Sequence, residues 1–315
     1  MKSKGNSYLR LFNILLVVAA YVYLGYKLAT FDGYDALVTG FSRADGRGYM
    51  CLAVALTLMP VNLLCEAWKW RTLMRNVQPM TLSEALLQVC YGCIGAFVTP
   101  YRTGDYPTRA LLLRNHTAWA AAVTLGVIGS AAMLMVEVGV GLPAAALFAR
   151  YKTAVSAHSL LIAGATVIGL ILVMIGVVSI LARREWSSQR LQAIFAELRQ
   201  FSIRRMAEVT GISLVRYVVW GVQLALVLYF CQVQLSPMQL AIAIPSYYLL
   251  IGLLPSLPLA DIAIRGSVSI VVFGTFSDNS AGIALAAVVV WTMNTMLPML
   301  IGTFLQKQYN RLSIN

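Results

Sequence analysis

Long apolar runs, separated by short polar segments rich in Lys and Arg, make up most of the chain. The runs exceed ten residues and lack the alternating pattern of an outer-membrane strand, so they predict membrane-spanning helices. Runs suited to a full crossing occupy residues of about 11–30, 49–68, 118–136, 160–181, 208–230 and 281–305. The predicted fold is an all-α, polytopic membrane helix bundle, with one integral membrane domain over residues 1–315.

Two further apolar runs are each followed by a proline and predict broken, re-entrant hairpins. The run at 82–98 has basic flanks on both sides, although a full crossing would place one flank outside. We therefore predict a hairpin that enters from the cytoplasm, breaks at Thr99 and Pro100, and returns. The runs at 237–254 and 262–276 predict a second broken hairpin, entered from outside, because its flanks carry no Lys or Arg.

The composition agrees with a membrane location. Hydrophobic residues make up 59% of the chain and charged residues only 11%, whereas a soluble globular protein carries about 25% charged residues. The net charge of +12 comes from short basic segments between apolar runs, as in cytoplasmic loops, and does not indicate nucleic acid. This distribution of charge predicts a multi-pass inner (plasma) membrane protein with cytoplasmic N- and C-termini. It also predicts anionic lipid headgroups as partners. Residues 183–205 predict an amphipathic helix on the cytoplasmic surface.

The same polar motif follows each predicted break. Asp105 and Arg109 come after the first break, and Asp261 and Arg265 come after the second. An ionised side chain at membrane depth costs roughly 2.5–3.5 kcal/mol on insertion scales, so it usually faces a cavity, a partner or a substrate route. Residues four apart share a helix face, and Arg102 is predicted to lie on the same face as the first pair.

Two interpretations of these pairs remain open. Each pair can be a self-neutralised ion pair, or an arginine fork for a phosphate in which the aspartate holds the arginine while the site is empty. The breaks favour binding, because freed backbone N–H groups and a helix N-terminus add positive potential for an anion. The predicted substrate-binding residues are Arg102, Asp105, Arg109, Asp261 and Arg265.

Two halves of the chain, at about 49–150 and 207–305, have the same order of elements. Each has a crossing helix, a proline-broken hairpin and another crossing helix. Because the hairpins are predicted to enter from opposite sides, the halves would form an inverted repeat. Secondary transporters with this organisation bind substrate near the midplane, where broken helices meet.

Three further charges lie in or near predicted crossing helices: Glu66, Glu137 and Arg216. Each is a candidate to bind a coupling proton, to line a cavity or to pair with a hairpin arginine. The alternatives are that Glu66 and Glu137 reach an interface and that Arg216 snorkels towards the cytoplasm.

Signals for an enzyme are weak. A membrane transferase or phosphatase needs a nucleophile with its base, or a metal site, and the sequence presents neither pattern. The five cysteines lie in apolar surroundings and are interpreted as small hydrophobic residues. We therefore expect no catalytic residue, no metal and no cofactor.

Two segments resemble a known family. The chain has Ala-Trp-Lys-Trp-Arg at 67–71, followed by Thr-Pro-Tyr-Arg-Thr-Gly-Asp-Tyr-Pro-Thr-Arg at 99–109. These segments resemble the flippase-like family that contains the membrane domain of lysylphosphatidylglycerol synthases. The matching positions are Pro100, Arg102, Gly104, Asp105 and Arg109. The resemblance extends over nearly the whole chain, through residues 257–265.

The second segment departs from the family's usual form, in which the arginine is followed by a glutamate. Gly266 follows Arg265 here, and Asp261 is the candidate substitute for the missing acid. The soluble aminoacyltransferase domain of the synthases is not expected, because the chain ends soon after its last apolar run.

The resemblance implies movement of a polar-headed anionic lipid, such as a phospholipid or a polyprenyl-phosphate carrier, between leaflets. Its phosphate would be held by Arg102, Arg109 and Arg265. Two alternatives remain: a non-transporting scaffold that binds anionic lipid and recruits a lipid- or glycan-modifying enzyme, and an intramembrane transferase. Transport predicts a cavity that reaches both leaflets, with mixed-sign residues that converge on it, whereas a scaffold predicts a filled core in which the ion pairs satisfy only themselves.

Overall fold

The computed structural model describes residues 45–114, 118–151, 202–254 and 261–312, together with six isolated positions. The crossings predicted at 11–30 and 160–181 lie outside these described ranges. So do most of the amphipathic segment at 183–205 and the second proline break at Pro255.

Nine helices carry the described residues. They are α1 (Gly46–Met74), α2 (Leu82–Val98), α3 (Asp105–Ala110), α4 (Trp119–Phe148), α5 (Ile203–Phe230), α6 (Pro237–Leu253), α7 (Asp261–Phe273), α8 (Ser280–Trp291) and α9 (Leu297–Leu312). The all-α prediction is confirmed, since these ranges contain no strand. Within the described ranges, four helical segments are long and apolar enough to cross a membrane: α1, α4, α5 and the combined stretch Ser280–Leu305.

α1 extends further than the hydropathy pattern predicts. It begins after Asp45, whose carboxylate accepts the Gly48 backbone N–H at 2.7 Å, and it continues to Met74. The predicted crossing ended at residue 68, whereas Lys69 and Trp70 are buried within the continuing helix. A buried carboxylate compensates the charge of Lys69, as described below.

α4 is one continuous helix of 30 residues. The sequence predicted a crossing that ends near residue 136, whereas the helix continues to Phe148. Pro143 lies inside the helix without ending it. Glu137 is therefore in the second half of an unbroken helix and not at a helix end.

The two helices that precede the predicted breaks are alike in length and at both ends. α2 and α6 are each 17 residues long, and each starts with a capping box, Thr81 with Glu84 and Ser236 with Gln239. Each ends at a residue with extended backbone, Thr99 or Leu254, immediately before a proline. A residue before proline is disfavoured in the helical region, which explains why both helices stop there.

The helices of the two halves pack across one another. α1 lies along α5, α4 packs on α6, and α9 packs on α2. One large apolar cluster joins α5, α6, α7 and α8, and another joins α1, α2 and α4. Many residues on the remaining faces of α1 and α5, such as Trp68 and Val218, are exposed and apolar, as expected of helices that face lipid.

Candidate functional site

The first motif lies on α3, which begins at Asp105 and places Arg109 one turn later. The Arg109 guanidinium grips the carboxylate with two bonds, Nε to Oδ1 at 2.7 Å and Nη2 to Oδ2 at 2.8 Å. Only 2% of the Arg109 side chain is exposed. The predicted pairing of residues four apart is therefore present, in the bidentate geometry that makes arginine–carboxylate pairs strong.

Arg109 has a second carboxylate partner on another helix. Its Nη1 donates to Glu66 Oε1 of α1 at 2.9 Å. The other oxygen of Glu66 accepts from Lys69 Nζ at 2.7 Å and from Arg216 Nη1 of α5. Glu66 therefore binds three cations from three helices, so the alternatives in which Glu66 reaches an interface and Arg216 snorkels towards the cytoplasm are not what the structure shows.

These five residues form what we call the charged cluster: Glu66, Lys69, Asp105, Arg109 and Arg216. The cluster holds three cations and two carboxylates, which leaves one positive charge in excess. Glu66 and Lys69 have side chains exposed by only 4% and 2%. A buried charge without a counterion is costly, so the cluster is suited to bind an additional anion.

Aromatic side chains surround Arg109. Its guanidinium lies over the rings of Trp70 and Tyr106, at 5.4 and 4.9 Å from their centroids, and these two rings stack on each other. The Trp70 indole N–H donates to Gln88 on α2 at 2.7 Å, and the Tyr106 hydroxyl shares a bond of 2.8 Å with Ser130 on α4. These contacts fix the plane of the arginine by cation–π attraction and by packing.

The close approach of α2 to the motif depends on Gly92. A Cβ placed on Gly92 would overlap Asp105 Oδ1 and lie 2.6 Å from Arg109 Cγ. The absence of a side chain lets the ion pair lie directly against the α2 backbone.

A strained turn joins α2 to α3. Tyr101 and Arg102 both have positive φ values, 53° and 57°, which are unfavourable for residues with a Cβ. Thr99 holds the turn by donating to the Gly95 carbonyl and accepting the Gly104 N–H, both at 2.7 Å. The expectation of a free helix N-terminus for an anion is wrong at this end, because Thr99 uses the Gly104 N–H and Asp105 occupies the first turn.

The sequence predicted that Arg102 shares a helix face with the first pair, and this prediction is wrong. It lies in the turn before α3, and the helix break separates it from Asp105. Its half-buried side chain is within electrostatic range of Asp261, the aspartate of the second motif. The break therefore directs Arg102 towards the other half of the molecule.

The second motif has the same pairing in a more open setting. Arg265 Nε donates to Asp261 Oδ1 at 3.0 Å, and 25% of the Arg265 side chain is exposed. Asp261 Oδ2 accepts the Trp291 indole N–H at 2.7 Å. The Trp291 ring also lies 6.0 Å from Phe97, near the end of α2, so the first break is close to the second motif.

Glu137 lies between the two motifs. Its electrostatic neighbours include Lys69 and Arg216 of the charged cluster and Arg265 of the second motif. The structure therefore brings together all eight residues that the sequence predicted as substrate-binding, coupling or cavity residues, across both halves. Lys69 is a ninth member that the sequence reasoning missed, although its position three residues after Glu66 on one helix was a usable signal.

An amide network lies beside the charged cluster. Asn62 accepts from Arg216 Nε at 2.7 Å and donates to Asn294 at 2.7 Å, and Asn294 donates to Gln223 at 2.6 Å. Asn294 lies in a π-helical segment, Thr292–Met296, between α8 and α9. Such segments often occur at functional sites, and this one lets a single side chain contact both α1 and α5.

The comparison with known families agrees with this arrangement. A family model described as the lysylphosphatidylglycerol synthase transmembrane region matches residues 11–302. The chain belongs to this family. A search of curated proteins found no match. Membership in the lysylphosphatidylglycerol synthase transmembrane-region family, together with the membrane-length helices, makes the chain a membrane-spanning protein with a lipid-related role.

Proposed function

We propose that this protein is a flippase that moves a polar-headed anionic lipid, a phospholipid or a polyprenyl phosphate, between the leaflets of the inner membrane. The observation that carries the proposal is the buried excess of positive charge in the charged cluster. A cluster that served only to hold helices together would be more stable with equal numbers of cations and carboxylates. A lipid phosphate bound beside the cluster would supply a further negative charge.

The second motif is the part of the site that is more accessible to a headgroup. Arg265 is more exposed than Arg109 and is not shared with a second carboxylate among the described residues. Arg102, on the facing turn, is within range of the same aspartate. We propose that a phosphate binds to Arg265 and Arg102 in competition with Asp261, while the lipid chains stay in the bilayer. Arg109, which Asp105 holds in place, adds to the positive surroundings.

The packing of the helices supports two inverted halves that meet at this site. In the proposed halves, α1 corresponds to α5, α2 to α6, α3 to α7, and α4 to the α8–α9 stretch. α1 packs on α5, and the contact of α4 with α6 is matched by that of α9 with α2. Exchange of partners in this manner is expected from a two-fold axis in the membrane plane. Rocking of the halves would then expose the headgroup site to each leaflet in turn.

The proposal also includes two broken re-entrant hairpins and cytoplasmic N- and C-termini. The ion pair of Arg75 and Glu208 lies at the surface and joins the residue that follows α1 to the first turns of α5. A cytoplasmic location for this end agrees with the basic residues that flank it. Movement of an intact lipid requires no bond to be made or broken, so we propose a transporter and not an enzyme.

Leaflet exchange in proteoliposomes tests the proposal. Labelled phosphatidylglycerol, phosphatidylcholine and a polyprenyl phosphate would be compared with wild type, Arg265→Ala and Arg109→Ala. Arg75→Ala is the matched control, because that arginine is 60% exposed and pairs only with Glu208 among the described residues. The expected result is faster exchange of anionic lipid with wild type and Arg75→Ala, and loss of this exchange with folded Arg265→Ala.

Two outcomes would contradict the proposal. Equal exchange of anionic lipid by wild type and Arg265→Ala would exclude the proposed headgroup site. Binding of anionic lipid without any exchange would instead support the scaffold alternative.

A further inference from the structure

We propose that Glu137 is a proton-binding site that takes up one proton when an anionic headgroup binds at Arg265 and Arg102. This inference rests on the proposed function, and it adds a coupling ion to the same site. Among the four acidic candidate residues, Glu66, Asp105 and Asp261 are engaged in ion pairs, which leaves Glu137 as the carboxylate without an assigned role.

Glu137 has an unusual position for a carboxylate. It is half-buried within α4, and it forms no ion pair or hydrogen bond with any residue in the described ranges. Its Oε2 faces the backbone of α6 at Gly252, where a Cβ would lie only 2.9 Å away. The missing side chain at Gly252 therefore lets the carboxyl group approach the end of α6.

The end of α6 is better suited to a neutral carboxyl group than to a carboxylate. The last carbonyl groups of a helix have no partner within the helix and carry partial negative charge. Gly252 is the second-last residue of α6, which ends at Leu253. A protonated Glu137 can donate to such a carbonyl, whereas an ionised Glu137 would be repelled by it.

Cations on the neighbouring helices oppose protonation while the site is empty. Lys69 of α1, Arg216 of α5 and Arg265 of α7 are within electrostatic range of Glu137. The other titratable groups in range are the hydroxyls of Tyr217 on α5 and Tyr248 on α6. α3 contacts α4 through Tyr106 and Ser130, about two helical turns from Glu137. The charged residues of α3 already have partners: Arg109 is bonded to Asp105 and to Glu66.

An anion at Arg265 and Arg102 changes this balance. Its negative charge offsets the field of the cations that favours the ionised form of Glu137, so that burial favours the neutral carboxyl group more strongly. Because linkage is reciprocal, protonation of Glu137 must strengthen anion binding by the same factor. The proton comes from water, adds to the carboxylate and leaves again when the headgroup leaves, so no bond in the lipid changes.

Two buried polar atoms lie along the same stretch of α5. The Tyr217 hydroxyl and the Trp220 indole N–H have no hydrogen-bond partner among the described residues. Buried polar groups are normally satisfied, and water is the usual partner when protein atoms are not. Tyr217 is within electrostatic range of Glu137, so water at these atoms would provide a route for the proton.

Proton uptake on lipid binding tests the inference directly. Purified full-length protein in weakly buffered detergent would be mixed with short-chain phosphatidylglycerol, and both pH change and lipid binding would be recorded. Wild type and the control Asp278→Asn, which alters an exposed carboxylate beyond α7, should take up as much as one proton per bound lipid. Glu137→Gln should bind the lipid with no uptake.

Each remaining outcome has a defined meaning. Equal uptake by Glu137→Gln and wild type, or binding by wild type without uptake at any pH, would overturn the proton site. Uptake without leaflet exchange would support the proton site and contradict the flippase. Leaflet exchange that an imposed pH gradient does not change, without proton uptake, would support the flippase and overturn the proton site. Absence of lipid binding would overturn both the flippase and the proton site.

A second measurement covers the case in which Glu137→Gln does not fold. Infrared difference spectra of wild type, lipid-bound minus lipid-free, should gain the band of a protonated carboxyl group. A spectrum that gains no such band would contradict the inference.

Discussion

The two motifs have the same sequence spacing and the same ion pair but different surroundings. Arg109 is buried, grips Asp105 with two bonds and shares Glu66 with two further cations. Arg265 meets Asp261 through a single Nε bond, and Asp261 is held from its other side by the Trp291 indole. One spacing therefore produces a rigid centre in the first half and a more accessible pair in the second.

This difference separates stability from binding. Breaking a buried charge network leaves uncompensated charges, so changes near Arg109 should act mainly on folding. Changes near Arg265 should act mainly on the lipid, because this pair has fewer partners to lose. Four variants, in order of decreasing expected effect, test whether the two motifs differ in this way.

Glu66→Gln should have the largest effect on stability. It removes the carboxylate shared by three buried cations, and loss of one member of such a network costs about 3–5 kcal/mol. The measurement is unfolding in mixed micelles, with Asp261→Asn as the matching change in the second motif. The comparison fails if Asp261→Asn destabilises the protein as much as Glu66→Gln does.

Gly92→Ala should have the next largest effect on stability. The added methyl group would overlap the Asp105–Arg109 pair, and overpacking of this kind typically costs about 1–3 kcal/mol. Gly266→Ala is the control, because no described atom lies within 4 Å of its Cβ position. There, alanine should stabilise helix α7 by about 0.5–1 kcal/mol relative to glycine. Equal effects of the two substitutions on thermal unfolding would contradict this account.

The overall architecture could be predicted from hydropathy, whereas several features of the site could not. The predicted α2 range, 82–98, agrees with the helix, and both Asp–Arg pairs form as predicted. Proline and its effect on the preceding residue are local signals, so both helix ends were visible in the sequence.

The errors arose where a distant partner changes a local preference. The hydropathy pattern ended the first helix at residue 68, because hydropathy does not show that Glu66 compensates the charge of Lys69. Arg102 was placed on a helix face because the turn with positive φ at Tyr101 and Arg102 contains no glycine that would have indicated it in the sequence. The requirement for Gly92 depends on the approach of α3, which sequence spacing does not reveal.

Trp291→Phe should have a smaller effect that is specific to the second motif. It removes one hydrogen bond to Asp261 and keeps most of the ring packing against Phe97, so the expected cost is about 1 kcal/mol. Because Asp261 is then held less firmly, Arg265 should bind anionic lipid differently from wild type. A titration with short-chain phosphatidylglycerol measures this, and an unchanged affinity would argue against competition between Asp261 and the phosphate.

Arg75→Ala should have the smallest effect. The Arg75–Glu208 pair is exposed, and such pairs contribute about 0–1 kcal/mol. High salt should remove the difference between this variant and wild type in unfolding experiments. A loss comparable to that of Glu66→Gln would mean that this surface pair, and not the buried cluster, holds α1 to α5.

The most direct test of the central claim is the rate of leaflet exchange of labelled phosphatidylglycerol with equal amounts of folded wild type and Arg265→Ala. The account predicts rapid exchange with wild type, at least tenfold slower exchange with Arg265→Ala, equivalent to about 1.4 kcal/mol, and near-normal stability of the variant. Exchange at the wild-type rate without Arg265 would contradict the assignment of the second motif to the headgroup.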